Sequence, residues 1–96
     1  MKIAVISKRS PDYLMDIVTD GLVRLVGRDN LSIDYNVRFE PGGRGAYQHL
    51  CLGLKGPEPF GLHDADILVA SVRSAEAAKR WKAKTSRKVA IIDGED

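Results

Sequence analysis

The sequence predicts an α/β fold in which helices cover both faces of a mostly parallel four-stranded sheet. Two short runs, KIAVIS at residues 2–7 and ADILVASV at residues 65–72, hold apolar residues without regular alternation. Such runs are typical of strands that are covered on both faces, as in a parallel sheet. A segment with helical periodicity follows each run, and a crossover of that kind returns the chain parallel to the preceding strand.

The first helix is predicted to begin shortly after residue 7. Ser10 suits the N-cap, Pro11 suits the first turn, and Asp12 complements the positive end of the helix dipole. Apolar positions then recur every three or four residues, which predicts an amphipathic helix with one buried face. Gly21 is expected to let the helix lie close to the sheet, and Gly27 to end it. The predicted buried face consists of Leu14, Ile17, Val18, Gly21, Leu22, Leu25 and Val26.

Strict alternation marks the second strand. In LSIDYNVRF, residues 31–39, every second residue is apolar, so one face is expected to be buried and the other loosely covered or wet. That pattern suits an edge strand. The glycine-rich segment EPGGRG, residues 40–45, ends it. Residues 47–54 show a weak helical spacing, and residues 55–62 have the composition of a loop.

A second helix and a fourth strand complete the pattern. Ser74 suits the N-cap of a helix that has Ala78 and Trp81 on its apolar face and basic residues on the other. KVAIID, residues 88–93, is the last predicted strand. With right-handed crossovers, this succession predicts a doubly wound sheet in the order 2-1-3-4, of Rossmann-like or flavodoxin-like form. Residues 1–96 are expected to form one such domain.

The fourth strand requires something to cover it. In the order 2-1-3-4 it lies at an edge of the sheet, yet residues 89–92 are all apolar and suit a strand covered on both faces. A bare apolar edge invites pairing with another strand. The simpler expectation is that the chain is a truncated N-terminal part of a longer protein with a C-terminal domain. The rival expectation is a homodimer formed through this strand.

Composition and charge bear on the class of protein. Lys and Arg number 15 against 13 Asp and Glu, and the net charge of +2 does not by itself argue for nucleic-acid binding. The basic residues of the second helix are interpreted as a solvated face. The single cysteine excludes an internal disulfide, and no apolar run approaches the roughly 20 residues that span a bilayer. No signal peptide is recognised at the N-terminus, so a cytoplasmic location is expected.

Candidate site residues follow from the expected sheet, because ligands of open parallel sheets gather beyond the carboxyl ends of the strands. Lys8 and Arg9 lie beside a helix N-terminus, where an anion is favoured, and a plain solvated loop is the alternative. Arg44 lies in the glycine-rich segment, which is either a turn or a mobile loop that closes on a substrate.

The third and fourth strands also end in charged residues. Arg73 is either a ligand contact or the partner of an acid after the fourth strand, and Asp93 is either a hydroxyl-binding group or a strand-end cap. The two histidines are isolated and predict no metal site. The candidate ligand-binding residues are Lys8, Arg9, Arg44, Arg73, Asp93, Glu95 and Asp96.

The loop chemistry disfavours two familiar uses of such a sheet. SKRSP, residues 7–11, has no glycine, so its backbone is not suited to hold a pyrophosphate as the dinucleotide fingerprint does, and no cofactor is expected. Phosphoacceptor receivers carry acids after the first strand and an Asp after the third. Here those positions hold Ser7, Lys8 and Arg9, and then Ser71 and Arg73, so receiver chemistry is not expected.

Three segments carry a resemblance to a known group. DYLMDIVTDGLVRLVG at 12–27, DADILVASVRS at 64–74 and KVAIIDGED at 88–96 resemble the N-terminal domain of bacterial glycosyltransferase-like proteins of the GT-B type, related to spore-coat maturation proteins. The IDGED ending is the most specific piece, and residues 38–62 lie outside the resemblance.

The resemblance implies a Rossmann-like domain on the acceptor side of a two-domain glycosyltransferase. Asp93, Glu95 and Asp96 would face an interdomain cleft and contact a sugar or another hydroxyl-bearing acceptor. A C-terminal domain would supply most contacts to the nucleotide sugar, so this chain alone would transfer nothing. No catalytic residue is assigned.

Two other functions remain open. The first is a stand-alone, receiver-like or flavodoxin-like interaction or regulatory module that dimerises through residues 89–92. The second is a flavodoxin-like binder of a small ligand, disfavoured because SKRSP lacks the small, hydroxyl-rich run that holds a flavin phosphate.

Overall fold

The computed structural model of the protein describes residues 1–7, 13–34, 57–84 and 87–93. Three short 3-10 helices, at Arg28–Asn30, Leu62–Asp64 and Val72–Ser74, adjoin the longer elements. In chain order, the helices and strands are β1 (Ile3–Ile6), α1 (Tyr13–Val26), β2 (Leu31–Asp34), β3 (Ile67–Ser71), α2 (Ala75–Lys84) and β4 (Lys88–Ile92). The rest of the predicted second strand and the weak helical spacing after it lie outside the described residues.

The four strands form one parallel sheet in the order β2-β1-β3-β4, and the predicted fold class is confirmed. Ile3 pairs with Leu31 on one side and with Ile67 on the other, and Ile67 pairs with Lys88. Because all strands run the same way, their carboxyl ends meet at one edge of the sheet. Aligned residues on neighbouring strands also point to the same face.

A hydrophobic core lies on the face of the sheet that α2 covers. It joins the side chains of alternate β1 and β3 residues to Ala78 and Trp81 of α2, and Trp81 is 7% exposed. The indole nitrogen of Trp81 donates a hydrogen bond to the carbonyl oxygen of Leu62, at 3.2 Å. The indole is therefore buried with its one polar atom satisfied, as a core tryptophan requires. The buried members are Ala4, Ile6, Ala65, Leu68, Ala70, Ala78 and Trp81.

A second core lies on the opposite face, under α1. Ile3, Val5, Leu31 and Val69 of the sheet pack with Met15 of the helix. The two helices therefore cover opposite faces, as the doubly wound form requires.

The buried face of α1 differs from the predicted one. Met15 is 1% exposed, whereas Ile17 is 51% exposed and Leu25 is 79% exposed. Gly21 is exposed as well, and none of the described residues has an atom within 4 Å of where its Cβ would lie, so its expected role in close packing is wrong. The helix is turned so that Met15 rather than Ile17 meets the sheet. The partly buried residues of α1 that pack against this core are Val18, Leu22, Val23 and Val26.

Hydrogen bonds join the residues that precede β1, β3 and β4 at the amino edge of the sheet. The backbone N–H of Lys2 donates to the carboxylate of Asp66 at 2.8 Å. The guanidinium of Arg87 donates to the carbonyl oxygens of His63 and, at 2.8 Å, of Ala65. These bonds hold residues 63–66, which precede β3, against the residues that precede β1 and β4. The amino edge of the sheet therefore has a structural role.

The outer edge of β2 is also occupied. The carboxylate of Glu58 accepts a hydrogen bond from the backbone N–H of Ile33 at 2.9 Å and forms an ion pair with Arg28 at 2.6 Å. The hydroxyl of Ser32 donates to the carbonyl oxygen of Phe60 at 2.8 Å. Residues 58–60 therefore lie against β2, and Glu58 satisfies a backbone N–H that an open edge would expose.

Candidate functional site

The candidate site is the carboxyl edge of the sheet, where β1, β3 and β4 end side by side. Ile6 pairs with Ala70, so Ser7, the next residue, comes out beside the end of β3. Ser71 pairs with Ile92, and Asp93 follows directly. Strand order reverses between β1 and β3, which is where ligands of open α/β sheets bind.

Buried hydroxyl groups lie at this edge. Ser7 is 8% exposed, Ser71 is 2% and Ser74 is 1%. The hydroxyl of Ser71 donates to the hydroxyl of Ser74 at 3.1 Å, and Ser7 also has a partner within the chain. Because these buried hydroxyls are hydrogen-bonded, they form a rigid polar layer at the carboxyl edge of the sheet.

The two predicted charged residues that the structure describes are both at this edge. Arg73 lies in the 3-10 helix that links β3 to α2, and Asp93 lies one residue beyond β4. Both are exposed to solvent. Arg73 already interacts with another group of the chain, so it is not a free cation. A guanidinium donor, a carboxylate acceptor and buried hydroxyls at one edge suit a neutral ligand that both donates and accepts hydrogen bonds.

The other predicted site residues are Lys8, Arg9, Arg44, Glu95 and Asp96. They lie outside the described residues, so whether they approach Arg73 and Asp93 stays a prediction.

Sequence reasoning missed the burial of two carboxylates on α1, the helix that follows β1 in the chain. Asp16, in the first turn of α1, is 2% exposed and has a partner within the chain. Asp20, one turn later, is 8% exposed and accepts a hydrogen bond from Arg24 at 2.9 Å. Acids spaced by four residues on a helix ordinarily indicate a solvated face, so the sequence carried no signal of their burial. The positive end of the helix dipole favours a carboxylate at Asp16.

Comparison with known proteins adds no family to these observations. No protein-family model, no curated protein and no solved structure matches the chain. Within the described ranges, no three His, Cys, Asp or Glu residues are grouped so as to hold a metal ion. No helix among these residues is long and apolar enough to cross a membrane.

Proposed function

We propose that the chain is the N-terminal, acceptor-side domain of a glycosyltransferase-like protein of the GT-B type. The observation that carries the proposal is the parallel β2-β1-β3-β4 sheet, in which Arg73 follows β3 and Asp93 follows the neighbouring strand β4. The resemblance of residues 12–27, 64–74 and 88–96 to that group supports it from the sequence.

The chemistry of the edge suits a hydroxyl-bearing acceptor. Asp93 would accept a hydrogen bond from an acceptor hydroxyl, and Arg73 would donate to an acceptor oxygen. The hydrogen bond between the buried hydroxyls of Ser71 and Ser74 holds the turn that follows β3 in place. In the intact protein, a second domain would hold the nucleotide sugar opposite this edge. The chain alone orients the acceptor and transfers nothing.

The two-domain part of the proposal is tested by reading the coding sequence beyond the codon for Asp96. The expected result is an open reading frame that continues into a second α/β domain. In that case the acids of residues 93–96 become candidates for an interdomain cleft. A stop codon directly after Asp96 would contradict the glycosyltransferase proposal for this chain.

A second candidate function is an interaction module that recruits another strand to β4. The observation that favours it is the exposure of Ile91, 42%, on a strand at the edge of the sheet. Sedimentation of the isolated chain tests its simplest form, a homodimer through residues 89–92. A dimer that Ile91→Lys dissociates would support this form, and a monomer at all concentrations would contradict it.

A further inference from the structure

β4 is a sheet edge that the described residues leave open. Its inner side pairs with β3, and none of the residues in the described ranges pairs with its outer side. Ala90 and Ile91 are exposed, and Val89 and Ile92 are half-buried, so the expected cover on both faces is not found within the described chain. The β2 edge, by contrast, is occupied by Glu58 and Phe60. The β2 edge of the sheet is therefore covered by residues of the chain, whereas the β4 edge has no cover within the described residues.

A groove runs beside this open edge, between α2 and β4. The groove is open to solvent, its volume is about 220 Å³, and its apolar lining comes from Ala75, Ala78, Val89 and Ile91. Lys79 and Lys82 complete the lining from α2. The ammonium of Lys79 is 3.5 Å from the carboxylate of Glu76, but the two side chains are 75% and 74% exposed, so this pair is weak.

We propose that β4 and this groove, here called the β4 groove, bind an extended acidic segment of a partner protein. The segment would add a strand to the sheet through main-chain hydrogen bonds to β4, as strand-addition complexes do. Alternate residues of a strand share a face. One apolar side chain would therefore pack against Ile91, and carboxylates two residues to either side would approach Lys79 and Lys82.

Charge favours this occupant over a second copy of the chain. An antiparallel pair of β4 strands would have a twofold axis perpendicular to the joined sheet, which keeps each side chain on the face it already occupies. The same axis would bring two α2 helices, with their lysines, side by side on one face of the joined sheet. An acidic segment meets Lys79 and Lys82 with the opposite charge instead. Binding here does not depend on acceptor binding at the carboxyl edge, and it requires that the continuation expected under the proposed function leaves the outer side of β4 open.

The inference is tested with two synthetic peptides and the ¹⁵N-labelled chain. The probe is acetyl-Ser-Glu-Thr-Ile-Thr-Glu-Ser-amide, and the control peptide has Lys in place of both Glu residues. The acidic peptide is expected to shift the amide resonances of β4 and of the groove face of α2. The control peptide is expected to bind about fivefold more weakly, because two exposed ion pairs are lost, and added salt should reduce that difference.

Charge-reversal variants distinguish binding in the β4 groove from a general attraction of acidic peptides to the basic helix α2. Lys79→Glu with Lys82→Glu should reverse the preference, so that the lysine peptide binds better. Arg80→Glu with Lys84→Glu changes the net charge equally at exposed residues that do not line the groove, and should keep the original preference. Absence of shifts in β4, equal binding of both peptides, or a stable dimer through β4 would overturn the inference.

Discussion

Replacing Trp81 with alanine is expected to lower the free energy of unfolding by about 3–5 kcal/mol, in the range of large-to-small changes in a core. The indole is 7% exposed and packs in the core between α2 and the sheet. It also donates to the carbonyl oxygen of Leu62, so it ties the segment before β3 to the helix after it. Total stability of a domain this size is about 5–15 kcal/mol, so the variant should be close to unfolding.

Urea denaturation followed by far-ultraviolet circular dichroism measures this loss. Trp81 is the one tryptophan in the chain, so its fluorescence cannot serve for the variant. Trp81→Phe is the matched control, because it keeps most of the apolar volume and loses the hydrogen bond. It should cost less than Trp81→Ala. A loss below about 1 kcal/mol in Trp81→Ala, the level of an average substitution, would contradict the packing described here.

The second large effect concerns which face of α1 is buried. Met15→Ala should lower the free energy of unfolding by about 2–5 kcal/mol, since the side chain is 1% exposed in the core under α1. Leu25→Ala should change it by no more than about 0.5 kcal/mol, since Leu25 is 79% exposed. The periodicity of the sequence predicts the opposite ranking. A larger loss of unfolding free energy for Leu25→Ala than for Met15→Ala would mean that α1 buries the face that the periodicity predicts, and would contradict the structure.

The sheet could be predicted from the sequence because its signals are strong and local. A buried parallel strand needs an unbroken apolar run, and β1 and β3 carry such runs. The rotation of α1 could not be predicted, because apolar residues surround much of the helix. The periodicity places Ile17 on the buried face and leaves Met15 off it, whereas tertiary packing buries Met15 and exposes Ile17.

The candidate site was predictable only in part. Arg73 and Asp93 were named because residues that follow parallel strands must reach the carboxyl edge, and the structure places both there. The burial of Asp16 depends on how α1 meets the rest of the chain, which no local pattern reports. The apolar run of β4 indicates what environment the strand suits. The run does not identify which protein segment covers the strand, and within the described residues Ile91 is 42% exposed.

The most direct test of the proposed acceptor side is a chemical-shift map of the ¹⁵N-labelled chain with simple hydroxyl-bearing probes. Glucose and N-acetylglucosamine are expected to bind with millimolar dissociation constants and to shift residues 7, 71–74 and 93. UDP-glucose should bind no more tightly than glucose. Asp93→Asn should weaken binding about fivefold, because a hydrogen bond to a charged group becomes a neutral one. Asp64→Asn removes an exposed carboxylate at the opposite edge and should leave binding unchanged.

Shifts at residues 7, 71–74 and 93 without shifts at the amino edge, together with the Asp93→Asn loss, are the result that the acceptor-side account predicts. Shifts at the amino edge around residues 63–66 and 87, or no shifts with any of the sugars, would contradict it.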